Sequence, residues 1–270
     1  MIREVGSATL ALVGIFKRHR ALLAELTRRE MRFDRIGLLP GVAWQVSFPV
    51  LLLGLYIFLF STIFEARNGP LGPSGVLYIL AGLVPWLFTA EVLGRSSATI
   101  VGGASLVKHL LFPVEALPIS VIGAGLLSFA IQLFILLGVS LVESNGSRWM
   151  LMMAPPLFGL HLIALIGMGM GLAAVGVYLR DLGEVVRMML TVGLFAAPIL
   201  YPLAALPRPA QVVLLVNPFT HMVACYQDVF FDGAFAHPCS WVVFAAFAVI
   251  VFALGVLIMR RARIYFANFL

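Results

Sequence analysis

Residues 239–259 read CSWVVFAAFAVIVFALGVLIM, an unbroken run without a charged side chain that is followed directly by Arg260 and Arg261. A helix needs about 20 apolar residues to cross a bilayer core of about 30 Å. Lipid offers the backbone no hydrogen-bond partners, so a run of this length must be helical, whereas a barrel strand needs only about 9–11 residues of alternating character. The stretch therefore predicts a transmembrane helix.

The rest of the chain has the same character. Of its 270 residues 62% are hydrophobic and 11% are charged, with a mean hydropathy of +1.06. A soluble domain carries about 25% charged residues, so these proportions exclude an ordinary globular surface. We predict an all-α integral membrane protein with six transmembrane helices, at 38–64, 76–101, 117–142, 150–178, 186–205 and 239–260.

Two regions do not fit a simple span. Residues 1–36 place basic side chains on one side of a helical pattern and leucines on the other, which predicts an amphipathic helix in the headgroup layer; a solvated cytoplasmic tail is the alternative. Residues 206–238 are apolar but are broken by four prolines and Gly233, which favours a pair of short re-entrant or interfacial helices. We accordingly divide the chain into an interface segment, 1–36, and a six-helix domain, 37–270.

The positions of the charges predict the orientation. The net charge of +6 and the pI near 9.8 are typical of nucleic-acid binding, but the basic residues lie in the gaps between the apolar runs. Fourteen Lys/Arg fall on the side that we assign to the cytoplasm, and only Arg67, Arg148 and Arg208 fall on the other. Basic loops stay in the cytoplasm, so both termini are predicted to be cytoplasmic.

The sequence lacks the common motifs for phosphate and metal binding. A P-loop needs a lysine directly after a glycine, whereas Lys17 and Lys108 follow phenylalanine and valine. HExxH and CxxC spacings are also missing, so we predict no catalytic group, no metal site and no cofactor in this chain. Cys225 and Cys239 fall on one predicted side of the membrane; two buried thiols are favoured over a single disulfide.

Polar and small residues inside the spans have structural interpretations. Glu91 and Arg95 lie one helical turn apart on one face and form either a neutralising pair or a substrate contact. The stretch Gly167-Met-Gly-Met-Gly171 lies within an apolar span, where small residues let two helices approach closely. The cytoplasmic segments 105–118 and 180–187 combine charged and apolar residues, as helices that dock into a soluble partner do.

Seven short motifs in order give the chain a family resemblance. They are Leu26-Thr-Arg-Arg-Glu-Met-Arg-Phe-Asp-Arg-Ile-Gly37, Gly82-Leu-Val-Pro-Trp-Leu-Phe88, Leu106-Val-Lys-His-Leu-Leu-Phe-Pro113, Leu117-Pro118, Tyr178-Leu-Arg-Asp181, Ala197-Pro-Ile-Leu-Tyr-Pro202 and Asn217-Pro-Phe219. No single motif is specific, but together they span nearly the whole chain. The chain resembles the permease of bacterial polysaccharide ABC exporters, which handle lipid-linked O-antigen, capsular polysaccharide or teichoic acid.

The resemblance implies a bacterial inner-membrane exporter with two permeases, two ATPase subunits that bind ATP and Mg²⁺, and a sugar path between the permeases. It implies contacts with the ATPase subunit for Leu106, Lys108, His109, Phe112, Pro113, Arg180, Asp181 and Glu184. Region 206–238 would form the external gate. We expect channel or gate positions at Tyr56, Phe60, Trp86, Phe88, Glu91, Tyr201, Asn217 and Pro218.

The lipid pyrophosphate of such a cargo needs cations near the inner leaflet. Arginine binds phosphate in bidentate fashion, so we expect this role for Arg28, Arg29, Arg32, Arg35 and Arg95; attraction to anionic lipid is the alternative. Other readings of the whole chain are an ABC permease for a drug or a lipid, a secondary transporter, and a membrane glycosyltransferase. A secondary transporter predicts internal repeats and midplane coupling residues, which are not evident here.

Overall fold

The structure is a computed structural model that describes residues 19–33, 41–63, 75–107, 112–143, 148–179 and 181–266. Within these ranges every regular element is a helix. In chain order the α-helices are α1 (Arg20–Phe33), α2 (Gly41–Phe58), α3 (Gly75–Ser96), α4 (Thr99–Gly102), α5 (Ala104–Val107), α6 (Ala116–Glu143), α7 (Ala154–Gly176), α8 (Leu182–Gly193), α9 (Arg208–Val216), α10 (Pro218–Gln227) and α11 (Pro238–Ala262). The π turns Leu59–Ile63 and Asp228–Asp232 extend α2 and α10, and 3-10 turns cover Arg148–Met153, Leu203–Ala205 and Arg263–Tyr265.

Four of the described helical stretches are long and apolar enough to cross a bilayer: Gly75–Ser96, Ala116–Glu143, Trp149–Gly176 and Pro238–Tyr265. The apolar helix α2 is shorter in its described part. The predicted all-α membrane fold is therefore confirmed, and the third, fourth and sixth predicted spans agree with the structure to within a few residues. We call the end of the bundle with α1, α4, α5 and the last turn of α11 the basic end, and the other the opposite end.

The second predicted span, 76–101, ends earlier than expected. The Ser96 hydroxyl donates a hydrogen bond to the Val92 carbonyl oxygen over 2.7 Å, and the Ser97 hydroxyl donates to Gly94 over 3.4 Å. Serine hydroxyls that bond back to the preceding turn compete with the helix and bend it. Consequently α3 ends at Ser96, and the chain turns before the short helix α4.

The fifth predicted span, 186–205, is not one continuous helix. Helix α8 ends at Gly193, and residues 194–199 continue as turns. Its 12 residues are about 18 Å long at 1.5 Å per residue. Pro198 and Pro202 explain the break, because proline has no N–H and disfavours the helical conformation of the residue before it. The break releases backbone carbonyl groups that need other partners.

Helix α3 is the centre of the bundle. Within its apolar window 83% of the residues are buried inside the protein, against 28% for α11. Its Leu80, Val84 and Phe88 side chains belong to a large core cluster, which α6, α7, α10 and α11 complete. Helix α3 is thus surrounded by protein, whereas α11 presents most of its surface outward.

Helices α7 and α11 pack through their glycines. A Cβ atom added to Gly167 would collide with the Phe252 backbone, and one added to Gly255 would collide with the Gly167 carbonyl oxygen. The two backbones therefore lie in direct contact, as small residues permit in membrane proteins. The prediction that the Gly167–Gly171 stretch serves helix packing is confirmed.

A second core cluster stands at the basic end. Leu23 and Leu26 of α1 are buried there together with Phe266, which follows α11. The predicted amphipathic helix is present at 20–33, with its apolar face packed on the protein itself and Thr27 against Gly123 of α6. Its place in the headgroup layer stays a prediction. The rest of 1–36 and the domain boundary after residue 36 lie outside the described residues.

The predicted pair of short helices within 206–238 is confirmed as α9 and α10. Both cysteines are free thiols: Cys225 is buried in α10, whereas Cys239 is exposed in the first turn of α11. The prediction of two buried thiols is therefore wrong for Cys239, because the start of α11 lies at the surface.

Candidate functional site

An open cavity of about 620 Å³ lies at the basic end, between α1, α3 and α8. Its charged lining residues are Arg29, Glu30, Glu91, Arg95 and Arg187, and the rest of the wall is apolar or small. Three cations therefore face two carboxylates in a space bordered by hydrocarbon. We call it the arginine cavity.

Arg95 is held in place by two carboxylates. Its Nη2 atom donates to Glu30 Oε2 over 2.9 Å and to the Glu30 carbonyl oxygen over 3.3 Å, and its Nη1 lies 3.7 Å from Glu91 Oε1. The pairing of Glu91 with Arg95 is confirmed. Glu30 is the nearer partner, and no local pattern could indicate this contact because Glu30 lies 65 positions away on α1.

The predicted pyrophosphate arginines separate in the structure. Arg29 and Arg95 line the same cavity, whereas Arg28 is exposed and does not line it. The Arg32 side chain and Arg35 lie outside the described residues. Arg187 of α8, which we had not assigned to this role, joins the cavity, and its Nη2 lies 3.1 Å from Glu184.

The predicted contacts with an ATPase subunit also gather at the basic end, as far as they are described. Leu106 lines the arginine cavity, and Phe112 packs against the second core cluster beside half-buried Pro113. Asp181 and Glu184 are exposed at the start of α8. Lys108, His109 and Arg180 lie outside the described residues.

Two further contacts fasten the last helix to this end. Arg263 Nη1 donates to Glu115 Oε1 over 2.9 Å, and the Tyr178 hydroxyl donates to the Ala262 carbonyl oxygen over 3.2 Å. Glu115 lies within the predicted segment 105–118, so this ion pair connects that segment with the end of α11. Sequence reasoning had placed Glu115 and Arg263 only in basic or amphipathic stretches.

At the opposite end, Asn217 joins the broken helix to α10. Its Oδ1 atom accepts a hydrogen bond from the Phe219 N–H over 3.1 Å, and its Nδ2 atom donates to the Ala196 carbonyl oxygen over 2.8 Å. Pro218 occupies the first position of α10, where its missing N–H has no consequence. The Tyr201 hydroxyl donates to the Phe195 carbonyl oxygen. These residues thus stabilise the backbone between α8 and α10, and their role in a gate stays a prediction.

The carbonyl oxygen of Pro198 accepts hydrogen bonds from two side chains. Gln227 Nε2 donates to it over 3.0 Å, and the Tyr78 hydroxyl of α3 donates over 3.2 Å. Both contacts are buried, and an unpaired carbonyl group there would be costly. Side chains of α3 and α10 therefore compensate for the interruption of the fifth predicted span.

A chain of buried hydrogen bonds runs through the core from α10 to α3. His161 of α7 is fully buried, with Nδ1 3.1 Å from the Tyr226 hydroxyl and Nε2 2.9 Å from Thr89 Oγ1. Thr89 lies 2.9 Å from the Pro85 carbonyl oxygen, which can only accept a proton. If Thr89 donates to Pro85, then His161 donates from Nε2 and accepts from Tyr226 at Nδ1. One neutral tautomer therefore satisfies the whole chain. A histidine inside an apolar span was the signal that could have revealed it.

Two predicted channel aromatics are buried in this conformation. Phe88 is 1% exposed and stacks on Phe129 with ring centroids 4.5 Å apart. Trp86 is 3% exposed and meets Phe219 edge to face at 5.5 Å. Neither ring lies open for a sugar to stack on. Tyr56 and Phe60 are stacked at 6.1 Å and only half-buried on α2 and its π turn.

A second open cleft, of about 500 Å³, separates α8 from α7 and α11. Its lining is almost entirely apolar and includes Trp86, Leu190 and Leu254. Helix α8 also exposes Met188 and Met189 at its surface. This side of the bundle therefore presents an apolar surface to its surroundings.

A group of three carboxylate and histidine side chains lies at the opposite end. Potential ligand atoms of Asp228, Asp232 and His237 lie within 4.8 Å of one another. The Asp228 carboxylate and His237 Nδ1 are already hydrogen-bonded to each other over 2.7 Å. In the structure the group is thus a hydrogen-bonded cluster, and the absence of a metal site from this chain stays a prediction.

Comparison with known proteins agrees with this architecture. The O-antigen export system permease protein RfbA of Myxococcus xanthus is 26% identical over 261 residues, which cover 96% of this chain and 99% of that protein. An RfbA of Klebsiella pneumoniae is 21% identical over 92% of this chain and 95% of its own, and the polysialic acid transport protein KpsM of Escherichia coli is 20% identical over 88% and 90%. The family model described as ABC-2 type transporter matches residues 23–231, from α1 to the π turn after α10. The chain therefore belongs to the ABC-2 type transporter family of membrane proteins.

Proposed function

We propose that the chain is the membrane subunit of an ATP-driven exporter that moves a lipid-linked polysaccharide, most specifically O-antigen, across the bacterial inner membrane. The observation that carries the proposal is similarity along nearly the full length to proteins named for O-antigen export and polysialic acid transport. All of these names refer to polysaccharides, which favours this cargo over a drug or a simple lipid.

The working exporter would contain two copies of this chain and two ATPase subunits, which bind ATP and Mg²⁺. The chain itself would be non-catalytic. The exposed apolar surface of α8 and the neighbouring cleft support a contact between two copies near a central path. The half-buried rings of Tyr56 and Phe60 are the predicted channel aromatics best placed to meet a sugar chain.

The arginine cavity would receive the pyrophosphate of the lipid carrier. Arg29, Arg95 and Arg187 line the cavity, and Glu30 and Glu91 orient the Arg95 guanidinium. Arginine forms strong, bidentate contacts with phosphate oxygens. A phosphate that displaces one carboxylate from Arg95 would exchange one ion pair for another, so binding and release would both stay easy.

Replacing Arg29 and Arg187 together by glutamine tests this role. We expect a strong loss of exported polysaccharide, with unchanged recovery of the membrane complex. Arg28→Gln is the matched control, because Arg28 is a neighbouring exposed arginine that does not line the cavity. The double replacement of Arg32 and Arg35 is also predicted to reduce export without preventing assembly. Equal export by the Arg29 and Arg187 double variant and by Arg28→Gln would refute the assignment of the cavity.

The segments 105–115 and 180–187 would transmit ATP hydrolysis to the membrane helices. Two contacts at the basic end support this role. Phe112 packs on the second core cluster, and Glu115 forms an ion pair with Arg263 at the end of α11. Movement of this segment would therefore act on α1 and α11 together.

The decisive experiment is co-expression with a candidate ATPase subunit. We expect a stable complex with ATPase activity that Lys108→Glu and Phe112→Ala reduce. Arg208→Glu is the matched charge reversal, because Arg208 begins α9 at the opposite end. If the chain purifies alone and the ATPase subunit changes nothing, the proposed function loses its mechanism, and secondary transport becomes the better explanation.

A further inference from the structure

Asp228 is a buried carboxylate that fastens two elements of the opposite end. It is 0% exposed and lies in the π turn that extends α10. Its Oδ1 accepts from His237 Nδ1 over 2.7 Å, and its Oδ2 accepts from the His237 backbone N–H over 3.2 Å and from Trp241 Nε1 over 2.9 Å. All three donors belong to the start of α11. One side chain therefore connects the gate region to the last transmembrane helix.

The loop between these elements is short and folded tightly. Gly233 has φ of 63°, a conformation that glycine adopts without strain. Phe235 packs edge to face on Trp241 at 5.3 Å and approaches Trp149 at 5.9 Å. The Asp228 contacts are thus covered by aromatic rings, whereas the His237 side chain remains 49% exposed.

The charged neighbours of this contact favour a cation at His237. Asp232 lies in the same cluster, and burial and the nearby Asp228 raise the pKa of Asp232. The hydrogen bond to Asp228 raises the pKa of His237 above its ordinary value of 6.5. The adjoining elements also carry titratable residues: Tyr78 on α3, Glu143 on α6, His221, Cys225 and Tyr226 on α10, Cys239 on α11 and Arg148, whose side chain is outside the described residues. Of these, His221 also joins α10 to α11, with Nδ1 3.0 Å from Ser240 Oγ.

We propose that Asp228 and His237 form a proton-sensitive clamp that holds α10 and its π turn against the start of α11, and that loss of the His237 proton loosens the gate region. When His237 is protonated, the buried carboxylate faces a cation as well as two neutral donors. When it is neutral, the same geometry retains the hydrogen bond but loses the charge. The proposal rests on the proposed function only in that it calls region 206–238 a gate. The contact between Asp228 and His237 does not depend on that function.

The direction of the pH effect follows from linkage. A group whose pKa is higher in the closed state stabilises that state fully below its ordinary pKa and loses this contribution as the pH rises through the raised value. The clamp is therefore tightest in mildly acidic buffer and looser in mildly alkaline buffer.

Cys225 provides a direct readout, because it is fully buried in α10 and the chain has only one other cysteine. In a Cys239→Ser background, the rate at which a small thiol reagent modifies Cys225 measures opening of this region. The full-length protein is used in lipid nanodiscs, so both faces meet the same pH. His237→Gln in the same background is the reference at each pH, because glutamine keeps an N–H donor but does not titrate. Dividing the rate of the parent by the rate of this reference removes the intrinsic pH dependence of thiol chemistry.

Relative to this reference, we expect the modification rate of the parent to rise several-fold between pH 5.5 and pH 8.5. His237→Arg should keep Cys225 protected across the whole range. A constant ratio to the reference would overturn the proposal, and so would a pH dependence that a metal chelator abolishes, because a bound cation would then explain it.

Asp228→Asn should expose Cys225 at every pH; the half-exposed His237 variants keep the test valid if this buried substitution prevents folding. The assay needs neither ATPase nor polysaccharide, so its failure leaves the proposed export function untouched.

Discussion

The two ends of the bundle are held together by different kinds of interaction. At the basic end, ion pairs such as Arg95–Glu30 and Arg263–Glu115 join helices, and the arginine of each pair is partly exposed whereas Glu115 is buried. At the opposite end, side chains including Asn217 and Gln227 donate to carbonyl groups of a broken helix. Water and salt compete with exposed ion pairs, which contribute about 0–1 kcal/mol. A buried acceptor that loses its donor costs about 1–3 kcal/mol.

This difference suits different tasks. Weak ion pairs in an open cavity can be exchanged for a charged ligand and re-formed. Buried hydrogen bonds keep an interrupted helix in one conformation, although the membrane interior offers no alternative partners. Under the proposed function, the basic end would depend on the exchange of ion pairs, whereas the opposite end would keep its hydrogen bonds until a specific contact is released.

The largest effect is expected from disrupting the packing of α7 against α11, on which both ends of the bundle depend. Gly167→Val would force its side chain into the Phe252 backbone, and we expect a destabilisation at or above the upper end of the usual overpacking cost of about 1–3 kcal/mol, or no folded protein, because backbone atoms cannot move aside as a flexible side chain can. Gly159→Val on the same helix is the control, because nothing lies within 4 Å of a Cβ added there. Yield and melting temperature in detergent measure both. Similar values for the two variants would contradict direct backbone packing.

One substitution made at both ends tests the comparison itself. Tyr226→Phe removes a buried hydroxyl from His161, and Tyr178→Phe removes an exposed hydroxyl from the Ala262 carbonyl group. We expect a loss of about 1–2 kcal/mol for the first and less than about 0.5 kcal/mol for the second, because only the first leaves a buried polar atom unpaired. Equal shifts in the unfolding midpoint would remove the proposed distinction.

Asn217 allows its two hydrogen bonds to be separated. Asn217→Ala loses the cap of α10 and the bond to Ala196, and we expect about 1–2 kcal/mol of destabilisation. Asn217→Asp keeps an acceptor for the cap but loses the donor, so its loss should be smaller. Thermal unfolding in detergent ranks the two. If aspartate proves as damaging as alanine, the bond to the broken helix matters more than the cap.

The smallest effect is expected at the ion pair of the basic end. Glu115→Gln should destabilise the protein by no more than about 1 kcal/mol, because the Arg263 side chain is half exposed. High salt should reduce the difference from the parent by screening the pair. Melting temperatures at low and high salt measure this. A larger loss that salt does not change would place this contact with the buried bonds of the opposite end.

Several features could be predicted because they depend on local sequence. The run from Cys239 to Met259 is helical because lipid leaves its backbone groups only partners within the run, and the clustered arginines show which segments are basic. The prolines between 206 and 238 similarly predicted two short helices instead of a span. The spacing of Glu91 and Arg95 placed them on one helix face, where the structure confirms their pair.

The break in the fifth predicted span shows the limit of such reasoning. Proline is tolerated within other helices of this chain, at Pro49 and Pro85. Whether it ends a helix depends on donors that satisfy the released carbonyl groups, and here Gln227 and Tyr78 come from distant positions. Hydropathy alone could not distinguish these cases.

The sequence by itself determined the class of this protein, its membrane helices and the basic character of one end, because hydrophobicity and charge act residue by residue. Only the tertiary structure decided that Glu30 would orient Arg95, that His161 would join Tyr226 to Thr89, and that Asp228 would hold the start of α11. Hydrogen bonds and ion pairs require donor and acceptor within about 3 Å in a defined direction. Such distances are set by how helices far apart in the chain pack together, so no local pattern records them.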